Sequence, residues 1–314
     1  MSNYSDSQFN FEDKNNSWYK TFYLVPENST VLDIGCSGGN FGQELIKQKN
    51  CIVDGIEINR DDIDIARKKL RNVYELNIEL NEININQEYD VLFMGDVIEH
   101  LADPVNALRK LKKLLKPEGV LVFSIPNITH MSVRLMLLRG KIEYGKTGLL
   151  DETHLHFYNS IEIYRVLNTA GYKVVTFDHV KRDIPFEVIK DELQEIGLRT
   201  TKKFKNTVQS LDGAAYQFIG TAKIGVATDQ KLPDKSPIDV TDKRIKIWRK
   251  EYEKNRLQYV KQREEFKKQT NSLKEKLEAA KDEISNLKKS KILKAVDVVR
   301  GSRSLEKDGE DEKN

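Results

Sequence analysis

Val31-Leu32-Asp33-Ile34-Gly35-Cys36-Ser37-Gly38-Gly39-Asn40-Phe41-Gly42 is the stretch on which the fold turns. An apolar run ends in an acid, passes through small residues and resumes as a helical pattern near Phe41. That order reads as a strand, a tight turn and a helix. Glycines let the backbone take positive φ and let a ligand approach the main chain closely. In open α/β sheets this turn lies at the carboxyl edge, where ligands bind.

Two further acids sharpen the reading. Glu57 closes a second strand-like run, Cys51-Ile52-Val53-Asp54-Gly55-Ile56. A carboxylate there suits a ribose diol, because it can accept both hydroxyl hydrogens. A third run, Tyr89-Asp90-Val91-Leu92-Phe93-Met94-Gly95, leads into the polar turn Asp96-Val97-Ile98-Glu99-His100-Leu101. A dinucleotide-binding loop would read Gly-x-Gly-x-x-Gly. Here the glycines stand at 35, 38, 39 and 42, which does not match that pattern.

Together Leu32-Asp33-Ile34-Gly35-Cys36, Glu57 and Asp96-Val97-Ile98-Glu99-His100-Leu101 resemble class I S-adenosylmethionine-dependent methyltransferases, of the small-molecule and glycan-modifying type. The resemblance covers about residues 15 to 225. It implies a Rossmann-like, doubly wound, seven-stranded sheet, mostly parallel with an antiparallel last strand. It implies S-adenosylmethionine as cofactor. Backbone groups from Gly35 through Cys36, Ser37 and Gly39 would meet its amino-acid end, with Asp33 ordering the loop or meeting the ammonium. Glu57 would hold the ribose, beside Ile58. Asn77 and Ile78 would meet the adenine, although Asn77 stands where the family carries an acid. Gly95 and Asp96 would face the methionine portion. Ser37 replaces the family's middle glycine and keeps a small side chain.

A hydroxyl acceptor needs a base. His154, in Thr153-His154-Leu155-His156-Phe157-Tyr158, is similar to the histidine of a Thr-His-x-Arg-Phe-Phe-type segment in glycan-associated relatives, with His156 where arginine is common. His100 is the second candidate. Both also have a purely structural reading.

Alternation of strands and helices continues along the chain, which predicts a mainly parallel sheet covered on both faces. Helices are expected over 59–70, from Asp103-Pro104 to Leu115, over 130–139 and over 160–170. Pro117-Glu118-Gly119 is expected to stop the second of these. Strands are expected over 72–76, 91–94, 120–125, 173–177 and 216–223. Aromatics in 9–25 suggest a leading helix or a flap over the cofactor. Residues 128–158 form an insert at the carboxyl edge, where substrate loops lie.

Composition narrows the function classes. The chain has 314 residues and a net charge of +3. Residues 241–300 carry +9 and 301–314 carry −2, so the first 240 carry −4. A mildly acidic globular part argues against nucleic acid as partner. No apolar run reaches the ~18 residues of a spanning helix, and the polar start, Met1 to Asp6, predicts no leader. Cys36 and Cys51 follow no metal spacing, so no metal site is expected and both thiols are read as reduced in a cytoplasmic protein.

Four regions are expected: a catalytic domain over 1–228, a linker over 229–242, a long helix with coiled-coil pairing over 243–291, and a basic amphipathic end with a disordered tail over 292–314. The helix would support a homo-oligomer. The end around Ile292, Val296 and Val299 would touch an anionic inner membrane face. The expected function is methyl transfer to a small-molecule or saccharide hydroxyl in cell-surface glycan synthesis. Quinone-type O-methylation and a non-catalytic scaffold on a methyltransferase domain are the alternatives.

Overall fold

The computed structural model describes residues 9–208 and 211–225, and helical positions scattered between 265 and 281. Contacts divide the chain into two units, Met1–Pro237 and Ile238–Asn314. The linker, most of the expected coiled coil, the amphipathic end and the tail lie outside the described residues. Among the described residues no helix is long and apolar enough to cross a membrane.

Seven strands form one sheet: β1 Thr30–Ile34, β2 Ile52–Glu57, β3 Asn72–Glu75, β4 Tyr89–Gly95, β5 Leu115–Pro126, β6 Tyr172–Lys181 and β7 Ala215–Ile224. Their order is β3-β2-β1-β4-β5-β7-β6. Only β7 runs against its neighbours, pairing antiparallel with both β5 and β6. β1 pairs parallel with β2 on one side and β4 on the other. The chain therefore reverses its winding between β1 and β4, which opens a crevice at their carboxyl ends.

The strands alternate between two apolar layers, as a sheet covered on both faces requires. Leu32, Leu92, Met94 and Phe123 face one layer. Val31, Val91, Phe93 and Val122 face the other, with Phe22 from α1 (Ser17–Leu24) and Phe41 and Leu45 from α2 (Asn40–Lys49). α3 (Arg60–Ala66) starts where Asn59 Oδ1 accepts from the amides of Asp61 and Asp62. It is shorter than the expected helix over 59–70. α4 (Pro104–Leu111) is capped by Asp103, with Pro104 in its first turn. It packs beside α6 (Ser160–Ala170), whose bounds match the sequence reading because Asn159 caps its start and Gly171, at φ +87°, ends it.

Pro117 does not stop α4. The helix ends at Leu111, a 3-10 turn covers Lys112–Leu114, and Pro117-Glu118-Gly119 lies within β5. The pairing of β4 with β5 shifts register between Tyr89 and Val91, so a proline without an N–H is tolerated there. Three helices had no counterpart in the sequence reading: α7 (Phe186–Glu195), α8 (Lys202–Val208) and α9 (Leu211–Ala214). Ile189, Leu193 and Val208 pack with Met131 and Leu135 of α5 (Met131–Leu138) in a small separate cluster.

Asp54 of β2 is fully buried and ionised. Burial alone would raise its pKa, but the bidentate Arg71 guanidinium, at 2.8 and 2.5 Å, holds it below the usual range, with help from Tyr89 and Asn72. Removing one partner of such a pair leaves an uncompensated charge. Arg71→Ala is expected to cost about 3 kcal/mol in urea unfolding. A change within experimental error would show that the bonds from Tyr89 and Asn72 suffice.

Candidate active site

The crevice at the carboxyl ends of β1, β2 and β4 holds a cleft of about 470 Å³, within the ~300–1,000 Å³ typical of small-molecule sites. All eleven residues expected to bind cofactor line it except Gly39, the residue just before α2. Of the two histidines, His100 lines it and His154 does not.

The loop after β1 is built from the backbone outward. The amides of Gly35 and Cys36 both donate to Ile56 O, at 2.8 and 3.1 Å. Gly35 sits at φ +73°, and a Cβ there would stand 2.8 Å from Val97 Cγ2. The position admits only glycine without a shift of the β4 turn. Ser37 is held at φ +46°, which explains the glycine common at this place in the resembled family. The Cys36 thiol rests against Gly55, where an added Cβ would lie 2.5 Å from it. Burial pushes that thiol's pKa up, so Cys36 offers its backbone rather than a nucleophile.

Glu57 is held by three backbone donors. Oε2 accepts from Ser37 N at 2.9 Å, and Oε1 accepts from Ile58 N and Asn59 N at 2.7 and 2.9 Å. Its carboxylate thus ties the glycine loop to the end of β2 and keeps acceptor capacity for a diol. Asp33 lies beneath the loop, 2% exposed, and its Oδ2 accepts no hydrogen bond among the described residues. Burial, and then the charge of Glu57, raise its pKa to about 7. A buried oxygen with no donor at the base of a cleft is what an incoming ammonium would satisfy.

Asn77 departs from the expected acid and carries a second duty. Its Oδ1 accepts from Glu79 N and Leu80 N, at 2.9 and 3.2 Å, and caps the turn after β3. Both acceptor positions are used, which leaves Nδ2 as its group for a ligand. Ile78 is buried in the cleft wall, while Ile58 is 64% exposed at its rim. Trp18, Phe41 and Phe93 line the opposite side, with Phe41 and Phe93 stacked at 4.1 Å. The leading helix therefore contributes Trp18 directly to the cleft.

Asp96 is a non-glycine at φ +56°. Its amide donates to Ser124 O at 3.1 Å, and its Oδ1 accepts from Ser124 Oγ and from Gln217 Nε2. Burial raises the carboxyl's pKa, and those two donors oppose the rise. Strain of this kind persists where surrounding contacts fix it. Ser124 and Gln217 escaped sequence reasoning. Gln217 lies on β7, far along the chain, and no local pattern marks it.

The insert docks on the turn after β4. Leu155 N and His156 N both donate to Glu99 O, at 2.9 and 3.0 Å. The His100 ring packs edge-on against His154, with centroids 4.8 Å apart. His100 Nδ1 lies 3.2 Å from Thr153 O and 3.1 Å from Thr153 Oγ1, and that hydroxyl donates to Asp151 Oδ1 at 2.6 Å. With Nδ1 so engaged, Nε2 of His100 is its free nitrogen. The His154 side chain is only 4% exposed. Burial, and then His100, lower its pKa.

The residues present fit S-adenosylmethionine. Asp33 offers a buried oxygen without a donor for an ammonium, Glu57 an acceptor for a diol, and Gly35 a backbone without a side chain between them.

A family profile described as a methyltransferase domain matches residues 15–176. A ubiquinone biosynthesis O-methyltransferase of Actinobacillus pleuropneumoniae is 31% identical over 135 residues, 40% of this chain and 56% of that protein. One of Neisseria meningitidis is 31% identical over 153 residues, 46% of this chain and 63% of that protein. The chain thus spans about three-fifths of the length of these relatives. A crystal structure of an S-adenosylmethionine-dependent methyltransferase from Archaeoglobus fulgidus aligns with a TM-score of 0.45 at 22% identity, over 65% of this chain and 89% of that one.

Proposed function

Because the chain belongs to the methyltransferase domain family, we propose that it is an S-adenosylmethionine-dependent O-methyltransferase acting on a small dihydroxylated ring of the quinone-precursor kind. The observation that carries methyl transfer is the pair of carboxylates about the glycine loop: Asp33 with a buried oxygen lacking a donor, and Glu57 held by three amides. The ring acceptor is supported by the name of the relatives, ubiquinone biosynthesis O-methyltransferase. That support ranks it above the saccharide hydroxyl expected from sequence, which rested on the segment around His154.

When bound, the cofactor supplies a methyl group on a sulfonium, a leaving group that needs no protonation. What remains for this chain is to position the acceptor and take charge of its hydroxyl proton. Asp33 fixes the cofactor's amino-acid end, Glu57 its ribose, and Trp18 and Phe41 wall the cleft. His100 is the imidazole on the cleft wall. His154 stands behind it and orients it by ring contact, rather than meeting the acceptor first.

Methyl-labelled cofactor, offered with a vicinal dihydroxybenzene or with a nucleotide-linked saccharide, tests the reading. Label is expected on the aromatic hydroxyl. Label on the saccharide would return the glycan reading. Label on neither, with cofactor bound, would favour a scaffold.

A further inference from the structure

Gln217 reaches a cleft residue from a strand late in the chain. β7 runs antiparallel to β5, so its first residues arrive at the carboxyl edge. Gln217 pairs with Pro126 of β5 and Val180 of β6, which holds its backbone from both sides, and it is 8% exposed. Its Nε2 donates to Asp96 Oδ1. The Ser124 hydroxyl, from β5, donates to the same oxygen at 3.1 Å.

Both donors grip one side of the Asp96 carboxylate. Among the described residues none bonds Oδ2. Asp96 lines the cleft, on the turn that also carries His100. A carboxylate offers two acceptor oxygens, and holding one from behind leaves the other for a ligand. The backbone adds a second restraint. Asp96 sits at φ +56°, with its amide donating to Ser124 O. A non-glycine residue keeps that conformation only where its surroundings fix it.

We propose that Gln217 is a positioning residue for the acceptor: it clamps Oδ1 of Asp96 so that Oδ2 accepts the second hydroxyl of a vicinal diol while the first points to His100. This rests on the O-methyltransferase reading. There Asp33 and Glu57 serve the cofactor, and Asp96 is the lining acid on the His100 turn. Asp96 then serves the acceptor rather than the methionine portion.

A hydroxyl donating to a carboxylate makes a charge-assisted bond, roughly twice as strong as a neutral one. An acceptor lacking that hydroxyl leaves the carboxylate unmet, which is how a pocket discriminates strongly by one group. Burial opposes the ionised form of Asp96, while Ser124, Gln217 and His100 favour it. Glu99 is the other charged group facing Asp96 on this turn, and β5 and β7 bring the neutral Ser124 and Gln217.

The full chain is assayed with 1,2-dihydroxybenzene and with phenol. Wild type is expected to favour the diol in kcat/KM by roughly 10- to 150-fold, the worth of one hydrogen bond to a charged group. Gln217→Met keeps the length of the side chain but removes the donor. It should cut that preference by about tenfold, through loss on the diol, with the affinity for S-adenosylhomocysteine held. Asp96→Asn keeps a residue that tolerates positive φ but turns an amide nitrogen to the cleft, and it should lose the preference too. In the Asp96→Asn background Gln217→Met should add little, because it acts through that carboxylate. Calorimetry of 1,2-dihydroxybenzene into the S-adenosylhomocysteine complex should rank the variants in the same order without turnover. An unchanged preference in Gln217→Met, or losses that add in full, overturns the proposal. So does a fall in S-adenosylhomocysteine affinity, which would return Asp96 to the methionine portion. If Gln217→Met does not fold, Ser124→Ala removes the other donor to the same oxygen and decides. A wild type that methylates neither ring removes the O-methyltransferase reading and this inference with it, whereas failure in the variants alone leaves that reading standing.

Discussion

His100→Ala is expected to lower kcat by about 10²–10⁴ while leaving the affinity for S-adenosylhomocysteine close to that of wild type. His100 is the imidazole that lines the cleft, and Thr153 engages its Nδ1, so Nε2 is the nitrogen presented to an acceptor. Removing it takes away the proton acceptor at the cleft wall. His154→Ala should act in the same direction through the 4.8 Å ring contact. Unaltered kcat in His100→Ala would move acceptor activation away from this cluster.

Asp33→Asn is expected to weaken S-adenosylhomocysteine by about 30-fold to several thousand-fold, the range for truncating one side of a buried charge pair. The pH profile carries a sharper signature. Asp33 titrates near 7 in the free protein because it is buried beside Glu57. A ligand ammonium favours the ionised acid, so wild-type affinity should fall as pH drops below about 7, approaching tenfold per pH unit. Asp33→Asn should lack that slope. The same shift governs stability in the opposite sense. A folded pKa above the unfolded value of 3.8 gives a stabilising contribution at low pH that is lost as pH rises through about 7. Ligand-free Asp33→Asn should therefore gain more in melting temperature at pH 8 than at pH 5. A wild-type binding curve flat between pH 5 and 8 would show that Asp33 does not meet the ammonium.

Much of the fold was legible because its signals are local. The loop from Asp33 to Asn40, Glu57 and the turn from Asp96 to His100 each lie at or just past the end of a strand, and parallel strands buried on both faces read as apolar runs. Asn159 and Gly171 bracket α6 by capping chemistry alone. Where the reading went astray, tertiary context prevailed. Pro117 looks like a helix stop, but an irregular register lets it enter β5. α7 and α8 bury apolar side chains in a small cluster of their own with α5, apart from the two layers of the sheet.

The site divides in the same way. Backbone-cradling residues and Glu57 follow from the motif. Asn77 fits less simply, because its side-chain oxygen caps a turn. Gln217 reaches Asp96 from a strand late in the chain. Both histidines were visible, yet their meeting around Glu99 depends on how the insert docks, with Leu155 and His156 donating to Glu99 O. No sequence spacing encodes that contact.

The central claim is that the crevice between β1 and β4 holds S-adenosylmethionine. Calorimetric titration of S-adenosylhomocysteine into the full chain at pH 8 tests it most directly, since Asp33 is then ionised. One site per chain is predicted, with an affinity that falls at least about 30-fold in Asp33→Asn. The absence of binding at millimolar ligand would contradict the account.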